Sequence, residues 1–219
     1  MANLVLDLEL SGIEPGWHEI IQLGAALYDK EWNLKSTYIS NVYPENRESF
    51  SLSSQKIHQL SLEELEDAPM LHEVLEDFEE WLTKYLKHNS LRSLNICGQS
   101  VMYDIVFLKA AYRQEKKEWP FSNMLIDLHN IAFYLFEVLA KNGIKTPRSL
   151  SLNAIADFFD LNNCLSLFVA MDFTNTLFRF VANRRYLFGA RFRIHYRCRD
   201  ICALYSRCAN GSFVAVYNE

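Results

Sequence analysis

The residues with chemical content are carboxylates. Asp7 and Glu9 stand two apart in a run whose alternate positions are Leu4, Leu6, Leu8 and Leu10. Side chains repeat every two residues along a strand, so the two acids share one face. Carboxylates this close repel each other unless a cation lies between them. An all-oxygen site suits Mg²⁺ or Mn²⁺ better than zinc. A lone D-x-E pair reads as acids flanking a turn, and two further acids widen the set. Asp104 lies near the start of a helical segment that follows a short apolar strand. Asp172 interrupts the otherwise apolar stretch 165–180. An acid there is costly unless partnered, by metal or by exposure on the helix surface.

The elements that must position these acids follow from periodicity. Residues 3–10, 19–28 and 34–43 read as three strands with short connections, which predicts an antiparallel meander. Ser61 and Glu64 form a capping box, which predicts a helix start. Leu71, Val74, Leu75, Phe78, Leu82, Tyr85 and Leu86 follow a 3.6-residue period. The acids between them, Glu73, Glu76, Asp77, Glu79 and Glu80, read as a solvated face rather than a metal cluster. Residues 94–97 read as a short buried strand and 124–128 as a further strand. Residues 101–114, 128–141, 150–159 and 169–184 read as helices. The order predicts an α/β fold with a mixed sheet flanked by helices.

Composition bounds the rest. The 219 residues carry 22 Lys+Arg and 27 Asp+Glu, for a net charge of -5, and half are hydrophobic. That is a globular composition with enough chain for a sizeable core. No apolar run approaches the roughly 18 residues of a membrane span. Asp7 and Glu9 fall where a signal peptide would be apolar, so a cytoplasmic location is expected. Five cysteines imply no disulfide framework. The seven glycines make no phosphate-binding loop, dinucleotide fingerprint or nucleophile elbow, so no nucleotide cofactor is expected. Charge divides the chain near residue 184. Residues 184–219 hold seven Arg and two acids, a net +5, against -10 for residues 1–183. The expected division is a domain over 1–183 and a basic Arg/Cys-containing extension over 184–219.

The acids and their surroundings together resemble the DEDD superfamily of 3′–5′ exonucleases, the proofreading type on a ribonuclease H-like fold. Residues 4–12 (LVLDLELSG) and 19–25 (EIIQLGA) are similar to the family's first motif and its paired strand. Residues 57–69 (IHQLSLEELEDAP) resemble the connecting segment, and 98–108 (GQSVMYDIVFL) the second motif. Residues 125–128 (LIDL) and 149–159 (SLSLNAIADFF) resemble the next strand and the helix before the third motif. The resemblance implies a five-stranded mixed sheet, a meander of three strands plus parallel strands. It also implies hydrolysis at DNA or RNA 3′ ends with two Mg²⁺ or Mn²⁺ ions. By matching positions, Asp7, Glu9, Asp104 and Asp172 would be both metal ligands and catalytic residues. Asp7 would bridge the ions, Glu9 and Asp172 would hold the nucleophile-side ion, and Asp104 would support the other. The same matching puts Leu10, Ser11, Gln99, Ser100 and Phe107 beside the substrate, with Phe107 as a base-stacking candidate.

The third motif departs from the family pattern, which carries a His or Tyr upstream of its last Asp to handle the attacking water. The corresponding residues are Leu167 and Phe168, and neither accepts a proton. Aligning Ala170 to the family's Ala would instead leave Asp172 one place out of register. Leu10 replaces a small hydroxyl residue, and Gln99-Ser100 replaces His-Asn. Loss of a general base costs on the order of 10²–10⁴ in rate. His18, His58 and His195 read as surface or structural residues rather than substitutes. The alternative is therefore a catalytically impaired relative that binds nucleic acid or another partner, or an altered gene product. In the tail, His195, Cys198, Cys202 and Cys208 lack paired zinc-knuckle spacing. Phe192, Ile194 and Tyr196 alternate with Arg and His residues, as an edge strand or a base-stacking surface would.

Overall fold

The computed structural model describes residues 2–86 and 90–159. Asp172, the third-motif segment, the helix expected over 169–184 and the basic extension lie outside these residues. The chain opens with strands β1 (Asn3–Leu10), β2 (Ile20–Tyr28) and β3 (Leu34–Asn41), paired as an antiparallel meander. Helices α1 (Leu52–His58) and α2 (Leu71–Leu86) follow. Then come β4 (Asn95–Gly98), α3 (Met102–Gln114), β5 (Leu125–Asp127), α4 (Leu128–Lys141) and α5 (Leu152–Phe158). The sheet order is β3-β2-β1-β4-β5, with β4 parallel to β1 and β5 parallel to β4. This is the expected mixed five-stranded sheet. The parallel strands β1, β4 and β5 end at one edge, where open α/β sheets bind ligands.

The two sheet faces are covered by different helices. Leu4, Leu6 and Leu8 of β1 pack with Ile96 of β4 against α2 and α3. Val5, Ala26 and Cys97 point the other way, toward Ile126 and Ile131. Leu128, Ala132 and Phe136 of α4 then pack on Ile155 of α5. By the period-2 alternation, Asp7 and Glu9 belong to the Val5 face. Helix α2 buries Leu71, Val74, Leu75, Phe78, Trp81, Leu82 and Leu86. Each such side chain is worth about 1.5–3 kcal/mol. Like-charge pairs on its outer side, Glu73 with Asp77 and Glu76 with Glu80, cost only about 0.2–0.5 kcal/mol each. Packing therefore decides the helix.

The sequence reading and the structure differ at three places. Strand β3 closes at Asn41 rather than residue 43. Helix α1 lacks buried residues, with Leu52 and Ile57 exposed, so no apolar period announces it. The Ser61–Glu64 box does form: Ser61 N donates to Glu64 Oε2 (2.8 Å) and Glu64 N to Ser61 Oγ (3.2 Å). It closes a turn rather than starting a helix, because Pro69 disfavours helical backbone at the preceding residue. The acids of α2 hold no metal-like cluster. Glu73 Oε2 accepts from Met70 N (2.8 Å), and Glu76 pairs with Lys117 (3.4 Å). Among the described residues no helix is long and apolar enough to cross a membrane.

Candidate active site

The site is built from the end of β1 and the start of α3. Strand β1 pairs with β4 only through Asn3, Leu4 and Val5. Among the described residues, β1 has no ladder partner on that side beyond Val5. The Leu8 N–H is met instead by Asp104, whose Oδ1 accepts it at 3.0 Å. Asp104 is 9% exposed and lies in the first turn of α3. On β1 the pairing with β2 shifts register between Glu9 and Leu10. Such a bulge re-aims the side chains around it.

Gly98 sets how closely α3 approaches. A Cβ there would lie 2.8 Å from the Leu6 carbonyl oxygen and 3.0 Å from Val101. Only glycine lets β4 turn into α3 this close to β1. Ser100 follows with a left-handed backbone, φ 54°. Its N–H donates to Asp127 Oδ1 (3.1 Å), which also caps α4 by accepting from His129 N (2.8 Å). Asp127 therefore fixes the loop leading to Asp104. The residue stood in a recognised motif, yet its structural role went unread. An acid between a strand and a helix was the available signal.

Burial disfavours the charged form of every described acid in the set. It raises the Asp7 pKa. It lifts Glu9 to about 7, with the Asp7 charge adding to the effect. Asp104 rises to about 8, first from burial and then from Asp7. The Leu8 N–H opposes that rise by stabilising the carboxylate. Among the described residues no Lys, Arg or His is ion-paired with any of the three. Hard oxygen donors with uncompensated charge are the chemistry that a divalent cation of the Mg²⁺ or Mn²⁺ type relieves. The donor set therefore fits such an ion. Among the described residues, however, no three His, Cys, Asp or Glu side chains form a closed metal-holding group.

The substrate-side candidates separate. Leu10 stays half-buried at the bulge. Ser100 is half-buried in its strained loop. Gln99 Nε2 donates to the Leu150 carbonyl (3.1 Å), while its buried Oε1 has no partner among the described residues. Ser11 is 0% exposed and occupied in closing the β1–β2 turn. Its N–H donates to Glu19 O, its Oγ accepts from Glu19 N, and its carbonyl accepts from Ser51 N. Phe107 is 2% exposed in the core, so its ring has no open face for a base. That corrects the stacking expectation: the face of α3 carrying Phe107 is turned onto the sheet. His18 Nδ1 accepts from Glu14 N (3.1 Å), and its ring fills the space where a Gly12 Cβ would stand. His58 Nδ1 accepts from Leu60 N (3.0 Å), and burial lowers its pKa. Both imidazoles hold turns.

Residues 4–164 match the exonuclease family model. The chain belongs to this exonuclease family. No curated protein matches it in sequence. Exonuclease relatives of known structure share its ribonuclease H-like fold at low identity. Exonuclease I of E. coli in complex with a dT13 oligonucleotide superposes with a TM-score of 0.69 at 16% identity. That match covers 84% of this chain and 41% of that one. Cell-death related nuclease 4 gives 0.67 at 17% identity, covering 84% of this chain and 64% of its own. The nuclease domain of 3′hExo, a DEDDh family member bound to rAMP, gives 0.62 at 17% identity, covering 90% and 96%. This exonuclease-family chain thus spans less than half of exonuclease I and nearly all of the 3′hExo domain.

Proposed function

We propose that the chain is a metal-dependent 3′–5′ exonuclease acting on the 3′ ends of DNA or RNA. The observation that carries this reading is the uncompensated carboxylate group Asp7, Glu9 and Asp104, at the carboxyl edge of an exonuclease-family sheet. Asp172 completes the proposed set of four from outside the described residues. Residues 1–183 would form the catalytic unit, in the cytoplasm, with 184–219 as a basic extension.

Asp7, Glu9, Asp104 and Asp172 would hold two Mg²⁺ or Mn²⁺ ions, which when bound supply an ionised water at neutral pH and charge neutralisation at the leaving 3′ oxygen. The protein's part is placement. Asp104 is held on the Leu8 N–H, which fixes one of its oxygens beside β1. Asp7 and Glu9 share their face by strand alternation and need no separate device. Burial around them strengthens the attraction of the ionised carboxylates for a divalent cation. Leu10 and Ser100 remain the candidates for contact with the terminal nucleotides.

The test is cleavage of 5′-labelled single-stranded DNA and RNA with Mn²⁺, beside Asp7→Ala. The expected result is a ladder shortened from the 3′ end and lost in the variant. Folded protein that yields no ladder at high concentration would remove the hydrolytic reading. A second reading rests on Leu167 and Phe168, which cannot deprotonate water where the family has His or Tyr. It makes the chain a catalytically impaired binding module. Oligonucleotide binding without turnover would favour it.

A further inference from the structure

A groove of about 400 Å³ opens beyond β5, lined by Met102, Leu125, Ile126, Asp127, Asn130 and Ile131. Strand β5 is the last of the sheet among the described residues, so the groove wraps its open edge between α3 and α4. It lies at the same carboxyl end of the sheet as the carboxylates, two strands from β1. Met102 opens α3, and Asp104 lies in the same first turn. Asp127 ties the groove wall to the Ser100 loop. The walls are apolar and polarisable, and Met102 is 55% exposed.

Two polar groups are free to read a ligand. Asp127 spends Oδ1 on Ser100 and His129, and its Oδ2 has no partner among the described residues. The exposed Asn130 amide is likewise unpartnered among them. A carboxylate only accepts hydrogen bonds, whereas an amide both donates and accepts. Among the described residues no Lys or Arg lines the groove, so a phosphate there would meet repulsion from Asp127. A flat, apolar group with an N–H donor at its edge fits.

We infer that this groove holds a nucleobase of the substrate strand and favours bases bearing an exocyclic amino group over uracil or thymine. The base lies between Met102 and Ile131, with its amino group on Asp127 and a ring or carbonyl acceptor on Asn130. This rests on the nucleic-acid reading above but not on turnover. Cytosine presents an N4 amino donor where uracil and thymine present an O4 acceptor. Against the latter, the Asp127 carboxylate faces lone pairs and stays unpaired.

The test is binding of fluorescein-labelled dC and dU oligonucleotides of equal length to the full chain, by anisotropy in EDTA. The expected result is tighter binding of dC. Asn130→Ala and Met102→Ala, both at exposed positions, should each weaken dC binding, by about fivefold for the lost Asn130 bond. The dC preference should shrink and dU binding should change little. Equal affinity for both oligonucleotides, no binding of either, or a dC preference that survives both substitutions would overturn the groove. A groove that takes a peptide strand along β5 instead would show that same indifference to base. The 3′-shortening assay reads separately. A dC preference without a ladder removes hydrolysis and keeps the groove, while a ladder without it does the reverse.

Discussion

Asp104 concentrates the chemistry at the scale of single residues. It is buried, raised to about 8, and anchored by the Leu8 N–H. In the unfolded chain it ionises near 3.8, and Glu9 near 4.5 rather than about 7. Between those limits the native state keeps protons that the unfolded state has released. Stability therefore falls as pH rises through this window. In EDTA, the denaturant midpoint should drop from about pH 5 to pH 8. Asp104→Asn keeps an acceptor for Leu8 N–H but cannot ionise, so it should flatten the decline. A decline as steep in the variant as in the parent would contradict the assignment. Asp7 and Glu9 were legible because a strand's period is two. Ser11 and Phe107 are of types that suit substrate contact, whereas their burial is set by neighbours distant in sequence.

Among the elements, the turn from β4 into α3 decides whether Asp104 reaches β1. Gly98→Ala would push a Cβ against the Leu6 carbonyl, which is backbone and cannot swing aside. Overpacking of this kind costs about 1–3 kcal/mol. The expected outcome is a lower unfolding midpoint, read by urea denaturation, together with loss of any cleavage through displacement of α3. A midpoint unchanged within error would show that the turn relaxes freely. Strong periods made β1, β2, α2 and α3 readable in advance. Helix α1 was not, since it buries nothing and its Leu52 and Ile57 face solvent. The Ser61–Glu64 signal was chemically right, yet it served a turn, because local hydrogen bonding does not dictate that a helix continues.

For the whole molecule, metal binding and folding are linked. Ions that bind only the native carboxylates stabilise it, by about 2.7 kcal/mol at a hundredfold excess over Kd. Mn²⁺ should raise the melting temperature of the parent and leave Asp7→Ala unmoved. The rise should be larger at pH 8 than at pH 6, because protons compete for Glu9 and Asp104. A shift of equal size in Asp7→Ala would place the metal elsewhere.

Sequence alone determined the types of the clearly patterned elements, the shared face of Asp7 and Glu9, and the order of motifs that marks the family. Each depends on residues within a few positions of one another, and period and capping encode such relations directly. Only the tertiary structure decided that Asp104 meets β1 across 96 residues. The same holds for Asp127 clamping the Ser100 loop, for Phe107 lying inside the core and for Ser11 buried in its turn. Those outcomes depend on β4 and β5 adding in parallel beside β1, which brings three strand ends to one edge. No local pattern carries that information, because it arises from packing between segments that are distant in the chain.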